Sequence, residues 1–281
     1  MICADDESDK KIDELQKWFS ADERLPQEID RLLLKRFYLC MSGNMDDIKR
    51  VIKINYAIRN KNSHIFMNRD PLDEDSRRTN AYADMIPLPG LTAERYKVSL
   101  YRLSDYDPNK MHHTEDTKLF FMLTDCRFAM PDVEDEETLS EGEVQVFDMA
   151  GYSMKHLPKL TISTLRVYIQ FLQQAFPVRL KAIHMINCPS YLDKIVAVVK
   201  PFISTEVFKM INFHVRGVEG LYEHVPRVML PDEYGGKAGK INVLKAKTLR
   251  LLEEKREYLM DPNHWKIYEA ESSNSNKWTL F

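Results

Sequence analysis

Three runs of apolar residues open the chain, each with helical spacing. Ile12, Leu15, Trp18 and Phe19 form the first, and Ile29, Leu32, Leu33, Phe37 and Leu39 the second; Ile48, Val51, Ile52, Ile54, Tyr56 and Ile58 form the third. Residues three and four apart share a helix face, so the first ~80 residues read as amphipathic helices. Ser42-Gly43-Asn44 separates the second from the third, for which Asp46 is the expected N-cap. Residues 66–81 are polar, contain Asp70-Pro71, and read as a connection.

After residue 88 the texture changes. Val98, Leu100 and Arg102 alternate with Ser99, Tyr101 and Leu103, a period of two that predicts a strand. Leu119, Phe120, Met122, Leu123 and Cys126 sit at helical offsets within 118–128. The acids that follow, from Asp132 to Glu143, read as a solvated loop. Val144–Met149 predicts a second strand. Residues 161–175 predict a helix with Leu165, Tyr168, Ile169 and Leu172 on one face, capped by Thr161 and stopped by Pro177. Val178–Ile186 predicts a third strand, halted at Asn187-Cys188-Pro189, and Ile211–Val215 a fourth. Leu249–Met260 predicts a charged C-terminal helix, and the Ser/Asn-rich tail beyond Trp265 is expected to be mobile. Alternating strands and helices over 95–215 predict an α/β fold with a mostly parallel sheet flanked by helices. The N-terminal helices form a small all-helical module before it.

One segment has no polar side. Ile195-Val196-Ala197-Val198-Val199-Lys200-Pro201-Phe202-Ile203, continuing to Val207, Phe208 and Ile211, is apolar on nearly every face. It fits either a fully buried element or one whose inner side meets an apolar cavity, and periodicity does not separate the two.

Composition narrows function by exclusion. The balance of 40 Lys+Arg against 43 Asp+Glu leaves a formal charge of -3, without the basic excess of a general nucleic-acid binder. Met1-Ile2-Cys3-Ala4-Asp5 lacks the basic and apolar regions of a signal peptide. No apolar run reaches the ~18–20 residues of a membrane span. Cys3, Cys40, Cys126 and Cys188 lie far apart and are expected as reduced thiols, Cys126 and Cys188 in the core; the reading is cytoplasmic.

Catalytic constellations are missing from the sequence. No GxSxG elbow occurs. Gly235-Gly236-Lys237-Ala238-Gly239-Lys240 imitates a phosphate loop, but Tyr234 holds the first glycine position and Ile241 the place of the metal-binding hydroxyl. His112-His113 read as part of a solvated turn and His184 as a hydrogen-bonded core histidine. Asp148 stands at a strand end ahead of Gly151, where α/β enzymes often carry chemistry, but without a base, nucleophile or metal partner it reads as a turn cap. No catalytic residue, metal or cofactor is expected, and the chain is read as not an enzyme.

Four motifs, in order, point further: GEVQVFDMAG at 142–151; Phe176-Pro177 with Ala182-Ile183-His184-Met185-Ile186-Asn187 and Pro189; Lys200-Pro201-Phe202; and LPDEYGG at 230–236. Their order and spacing resemble the CRAL-TRIO lipid-binding family, in the animal branch typified by α-tocopherol transfer protein and cellular retinaldehyde-binding protein. Leu33-Leu34-Lys35-Arg36-Phe37 and Asp46-Asp47-Ile48 resemble that family's helical N-terminal module. The resemblance implies a helical module over 1–80, a lipid-binding domain over 81–245, and a C-terminal helix with tail over 246–281. It implies a pocket between the sheet and a mobile helical gate, at about Tyr191 to Lys209, holding one tocopherol, retinoid, carotenoid or related terpenoid. Pocket candidates on that template are Phe121, Thr124, Val144, Val146, Leu165, Tyr168, Phe171, Leu172, Ile195, Val199, Phe202 and Ile203, with Thr124 and Tyr168 able to orient a ligand hydroxyl. The same branch uses surface cations on phosphoinositide headgroups. Arg59, Arg179, Lys181 and Lys209 are the candidates here, while Glu206 and Met210 depart from that pattern. The expected partners are a lipophilic small molecule and, transiently, a membrane surface. A monomer is expected, and a membrane-recruited module regulated by lipid occupancy is the alternative.

Overall fold

The computed structural model describes residues 6–133, 138–215 and 217–267. Cys3, residues 134–137 of the acidic run, and the tail after residue 267 lie outside them. The three apolar runs fold as α1 (Asp6–Ala21), α2 (Arg31–Cys40) and α3 (Met45–Lys61). The Asp30 carboxylate caps α2 by accepting from the Leu32 and Leu33 N–H groups. Asn44, not Asp46, caps α3, because its side chain accepts from the Asp46 and Asp47 N–H groups. A short α4 (Ser63–Phe66) follows.

The polar stretch read as a connection contains α5 (Glu74–Tyr82), capped by Asp73 onto the Ser76 N–H. Its buried face is built from hydroxyls. Thr79 Oγ1 and Tyr82 Oη donate to the two oxygens of Asp116 at 2.7 and 2.8 Å, so a search for apolar periodicity passes over it.

The sheet has the order β1 (Ala83–Pro87), β2 (Tyr96–Leu103), β3 (Gly142–Asp148), β4 (Leu180–Ile186), β5 (Ile211–His214), with β1 antiparallel to β2 and the rest parallel. Helix α6 (His113–Phe128) joins β2 to β3, and α7 (Ile162–Gln174) joins β3 to β4. The pair α8 (Leu192–Val199) and α9 (Thr205–Phe208) joins β4 to β5. Strand order advances in one direction, so right-handed crossovers place all of these helices on one face of the sheet. Residues 218–236 and the start of α10 (Ile241–Glu254) cover the other, and α11 (Arg256–Met260) and α12 (Pro262–Trp265) follow.

Register assigns each strand residue to a face. Ser99, Gln145, Ile183 and Ile211 pair across the sheet, as do Tyr101, Phe147, Met185 and Phe213; both rows point to the crossover helices. Val98, Leu100, Val144, Val146 and Ile186 point the other way and pack on Leu221, Val225, Met229, Leu230, Ile241 and Leu244. A second core joins α1–α4 to Phe120, Phe121, Phe128, Phe171 and Trp265, so the N-terminal helices and α12 share one interior with the crossover layer.

Three of the four sequence motifs meet at one carboxylate. Asp148 Oδ1 accepts from Asn187 Nδ2 at 2.8 Å and the Ala150 N–H at 2.9 Å, while Oδ2 accepts from Tyr234 Oη at 2.6 Å. Gly236 closes that lock from behind: a Cβ there would lie 1.8 Å from the Leu230 carbonyl oxygen, leaving no room for a side chain.

Candidate ligand-binding site

The crossover face of the sheet is an aromatic wall. Tyr101 stacks on Phe147 with ring centroids 4.9 Å apart and meets Phe120 at 5.4 Å; Phe120 meets Tyr168 edge-on at 5.1 Å, and Phe121 meets Phe171 at 5.0 Å. Tyr168 Oη donates to Gln145 Oε1 at 3.5 Å. Burial holds the Tyr101 and Tyr168 hydroxyls above the ordinary phenol range, so both stay un-ionised. Yet Tyr101, Phe147, Tyr168, Leu172, Ile183 and Met185 are only half-buried. These side chains keep accessible surface although the crossover helices lie over them.

Over this wall lies the apolar segment. No residue of α8, of the turn 200–202, or of α9 is fully buried. Of the two alternatives the sequence leaves open, this excludes the fully buried element: Ile195, Val196, Val198, Val199, Phe202 and Ile203 are all half-buried. Pro201 ends the regular helix, and Ser204 starts α9 by accepting from the Val207 N–H. The segment is fastened near its ends. Tyr191 Oη donates to the Tyr152 carbonyl, Gln173 Oε1 accepts from the Ser204 N–H at 2.9 Å, and Gln173 Nε2 donates to the Phe202 carbonyl at 3.4 Å. The Arg166 guanidinium lies 5.5 Å from the Phe202 ring centre.

The expected pocket residues divide three ways. Tyr168 and Leu172 stand on the wall and Ile195, Val199, Phe202 and Ile203 on its cover. Phe121, Leu165 and Phe171 are buried behind them, and Thr124 is buried with its hydroxyl already donating to the Phe120 carbonyl at 2.8 Å. Val144 and Val146 are 4% and 0% exposed in the core on the opposite face of the sheet. A one-residue offset in a strand exchanges faces, so the wall takes Gln145 and Phe147 in their place. Tyr101, Ile183 and Met185 also belong to it; the parity of Tyr101 against its neighbours in β2 carries that signal in the sequence.

The cation set is corrected at one position. Arg59 is 1% exposed and forms two 2.7 Å bonds to Asp125, with the Phe66, Phe171 and Trp265 rings around it at 5.2, 4.9 and 4.9 Å. Arg69 pairs with the same carboxylate. Burial alone would raise the Asp125 pKa, but the guanidiniums of Arg59 and Arg69 hold it below the ordinary carboxylate range. A guanidinium so enclosed cannot meet a surface headgroup. Arg179, by contrast, is exposed and donates to the Cys40 carbonyl at 2.8 Å; Lys181 Nζ lies 5.1 Å from the Tyr96 ring, and Lys209 is exposed. All three stand at the end of the sheet where β4 and β5 begin. An open cleft of about 640 Å³ lies beside Arg179, between α1, α2 and residues 138–141, away from α8.

Other expectations resolve by packing. Asp132 and Glu143, expected in solvent, are buried on Arg36 and Arg127 at 2.7 Å each; Arg36 and Arg127 overcome the burial cost and hold Asp132 down to about 2. His184 is 1% exposed with Nδ1 at 2.9 Å from His214 Nε2, as a core histidine should be. His113 opens α6 and accepts from the Thr161 N–H, while His112 is exposed; Thr161 itself makes no side-chain cap. Cys126 is buried and Cys188 half-buried. Among the described residues, no cluster of His, Cys, Asp and Glu is suited to a metal, and no helix is long and apolar enough to cross a membrane.

Fold and site define a single-sheet α/β protein whose crossover face carries an aromatic wall under an apolar, half-exposed cover. The chain belongs to the CRAL/TRIO family: the profile of the CRAL/TRIO domain matches residues 83–236, and that of the Pinta-like UBA domain matches residues 4–76. It is 26% identical over 211 residues to Clavesin-1 of Xenopus laevis, covering 74% of this chain and 61% of that protein. It is 25% identical over 218 residues to the human Alpha-tocopherol transfer protein-like, covering 78% and 62%. The chain thus spans less than two thirds of the length of these curated relatives. The crystal structure of Sfh5 superposes with a TM-score of 0.53 at 16% identity over 91% of this chain and 99% of that one, a likeness of fold.

Proposed function

We propose that this protein encloses one small hydrophobic molecule, of the tocopherol, retinoid, carotenoid or related terpenoid class, between the aromatic wall and α8–α9, and passes it between membranes. The observation that carries the reading is a helix whose apolar residues, Ile195, Val196, Val198 and Val199, are half-buried and none fully buried, lying over half-buried aromatic and aliphatic side chains. A helix of that kind has an apolar inner side for a ligand. Its exposed outer side carries Asp193, Ala197 and Pro201 beside Lys194 and Lys200, cations that can meet lipid headgroups as the apolar side turns toward the bilayer. The similarity to an Alpha-tocopherol transfer protein-like sequence supports the ligand class.

Energetics favour exchange at a membrane. A ligand hiding ~400 Å² of apolar area gains roughly 10 kcal/mol on leaving water, so escape into water is slow. Between pocket and bilayer that gain nearly cancels, and α8–α9 acts as a gate that opens where its outer side meets lipid. In this reading the protein works in the cytoplasm, binds membranes peripherally and performs no catalysis. Native mass spectrometry of the purified chain, followed by transfer between donor and acceptor vesicles, tests it. Absence of both a bound lipid and transfer would overturn it.

Arg179, Lys181 and Lys209, at one end of β4 and β5, favour a second reading in which phosphoinositides recruit the protein to membranes and lipid occupancy regulates a partner. Salt-sensitive sedimentation with phosphoinositide vesicles, without lipid transfer, would select it over the carrier.

A further inference from the structure

Gln145 lies at the centre of β3 on the crossover face, 1% exposed, in a row with Ser99 and Ile183 and next to the row of Tyr101 and Phe147. Its Oε1 accepts from Tyr168 Oη, while its Nε2 is buried with no hydrogen-bond partner. Folded proteins keep few such groups, because a donor taken from water without an acceptor is costly. The alternation of β3 would be served by an apolar residue here, as Val144 and Val146 serve the other face. The rest of the wall offers no relief. Thr124 has spent its hydroxyl on the Phe120 carbonyl, and the nearby rings of Tyr101, Phe120 and Phe147 are apolar surfaces. Turning the amide over would satisfy nothing more: the unmet group would become the oxygen instead of the nitrogen.

We propose that Gln145, with Tyr168, reads a hydroxyl on the enclosed molecule, so that the ligand class is a terpenoid alcohol or phenol rather than a hydrocarbon. This rests on the lipid-enclosing reading above. A hydroxyl both donates and accepts, so it completes the Gln145 amide in either orientation and joins the Tyr168 hydroxyl in one chain of bonds. The apolar body of the ligand then runs along the aromatic wall under α8. Gln145 thereby sets specificity: a site with an unmet polar group rejects the analogue that lacks the matching one, whereas hydrophobic contact discriminates poorly.

The test uses the full chain, retinol, and anhydroretinol, its hydrocarbon counterpart, with equilibrium binding and thermal melting of the wild type and Gln145→Met. Wild type should prefer retinol by about tenfold, the worth of one buried hydrogen bond. Gln145→Met should abolish that preference, keep anhydroretinol affinity within about twofold, and melt within a few degrees of wild type, since the gain from removing an unmet donor offsets the loss of the Tyr168 acceptor. A residue with a merely structural role would instead lower the melting temperature and weaken both ligands alike. That result, or an undiminished retinol preference in Gln145→Met, overturns the inference. Gln145→Leu serves as the second variant should the methionine fold poorly. Wild type binding both retinoids equally would sink this inference alone, while wild type binding no lipid of any class would sink the reading beneath it as well.

Discussion

Acidification should destabilise the folded chain through His184. This imidazole is 1% exposed in β4, 2.9 Å from His214 Nε2, with the His224 ring 4.6 Å from its own. Burial, then the neighbouring His224 and His214, pushes its pKa down to about 4. An unfolded histidine titrates near ~6.5. Between those values the unfolded chain binds the proton and the folded one does not. Stability is therefore full above about 6.5, falls as the pH drops, and levels off below about 4. A gap of roughly 2.5 units corresponds to about 3 kcal/mol. His113, His156 and His214 are shifted the same way by burial, and Asp116 is raised by burial, so the comparison must be between wild type and His184→Gln. Urea unfolding followed by circular dichroism from pH 7.5 to 4.5 should show the wild type losing roughly 2–3 kcal/mol more than the variant over that range. Parallel stability curves for the two proteins would refute the reasoning.

Other outcomes follow from the same geometry. Arg59→Met leaves the Asp125 carboxylate with Arg69 alone and should cost ~3–5 kcal/mol, lowering the calorimetric melting temperature, while phosphoinositide-vesicle binding is unchanged. Val146→Ala should cost about 2 kcal/mol in denaturant titration with ligand affinity intact; Phe147→Ala, one residue on, should weaken ligand binding in the same retinol assay. Val199→Asp, on a helix with no buried residue, should leave the melting temperature within a few degrees and slow vesicle-to-vesicle transfer on the order of tenfold. Gly236→Ala, driven against the Leu230 carbonyl, should lower soluble yield and melting temperature without touching the wall.

Most of the layer order was legible because β2 alternates and α7 carries one apolar face, while β3, β4 and α6 are apolar runs bounded by polar or turn-forming residues. Strand β1 was missed: its five residues, Ala-Asp-Met-Ile-Pro, are short and bury Asp84, which is satisfied by Arg102 at 2.8 Å and Lys245 at 2.6 Å from distant parts of the chain. Arg59 misled for a related reason. A guanidinium in sequence reads as surface, and only the fold brings Asp125, 66 residues away, to neutralise it. Side assignment on β3 failed because Glu143, Val144, Gln145, Val146 and Phe147 are buried or half-buried on both faces, so no solvent-facing residue marks the outside. The motif residues Asp148, Asn187 and Tyr234 proved to be fastenings that hold the strand ends and the 230–236 turn together.

The alternation of β3 also separates what can drift from what cannot. Its even-numbered valines are committed to an interior shared with α10 and residues 218–236, while its odd-numbered side chains look only toward the crossover helices. On the proposed lipid-enclosing reading, selection or an engineer can therefore retune the choice of cargo at positions 145 and 147 by single substitutions without disturbing the foundation on which the strand rests.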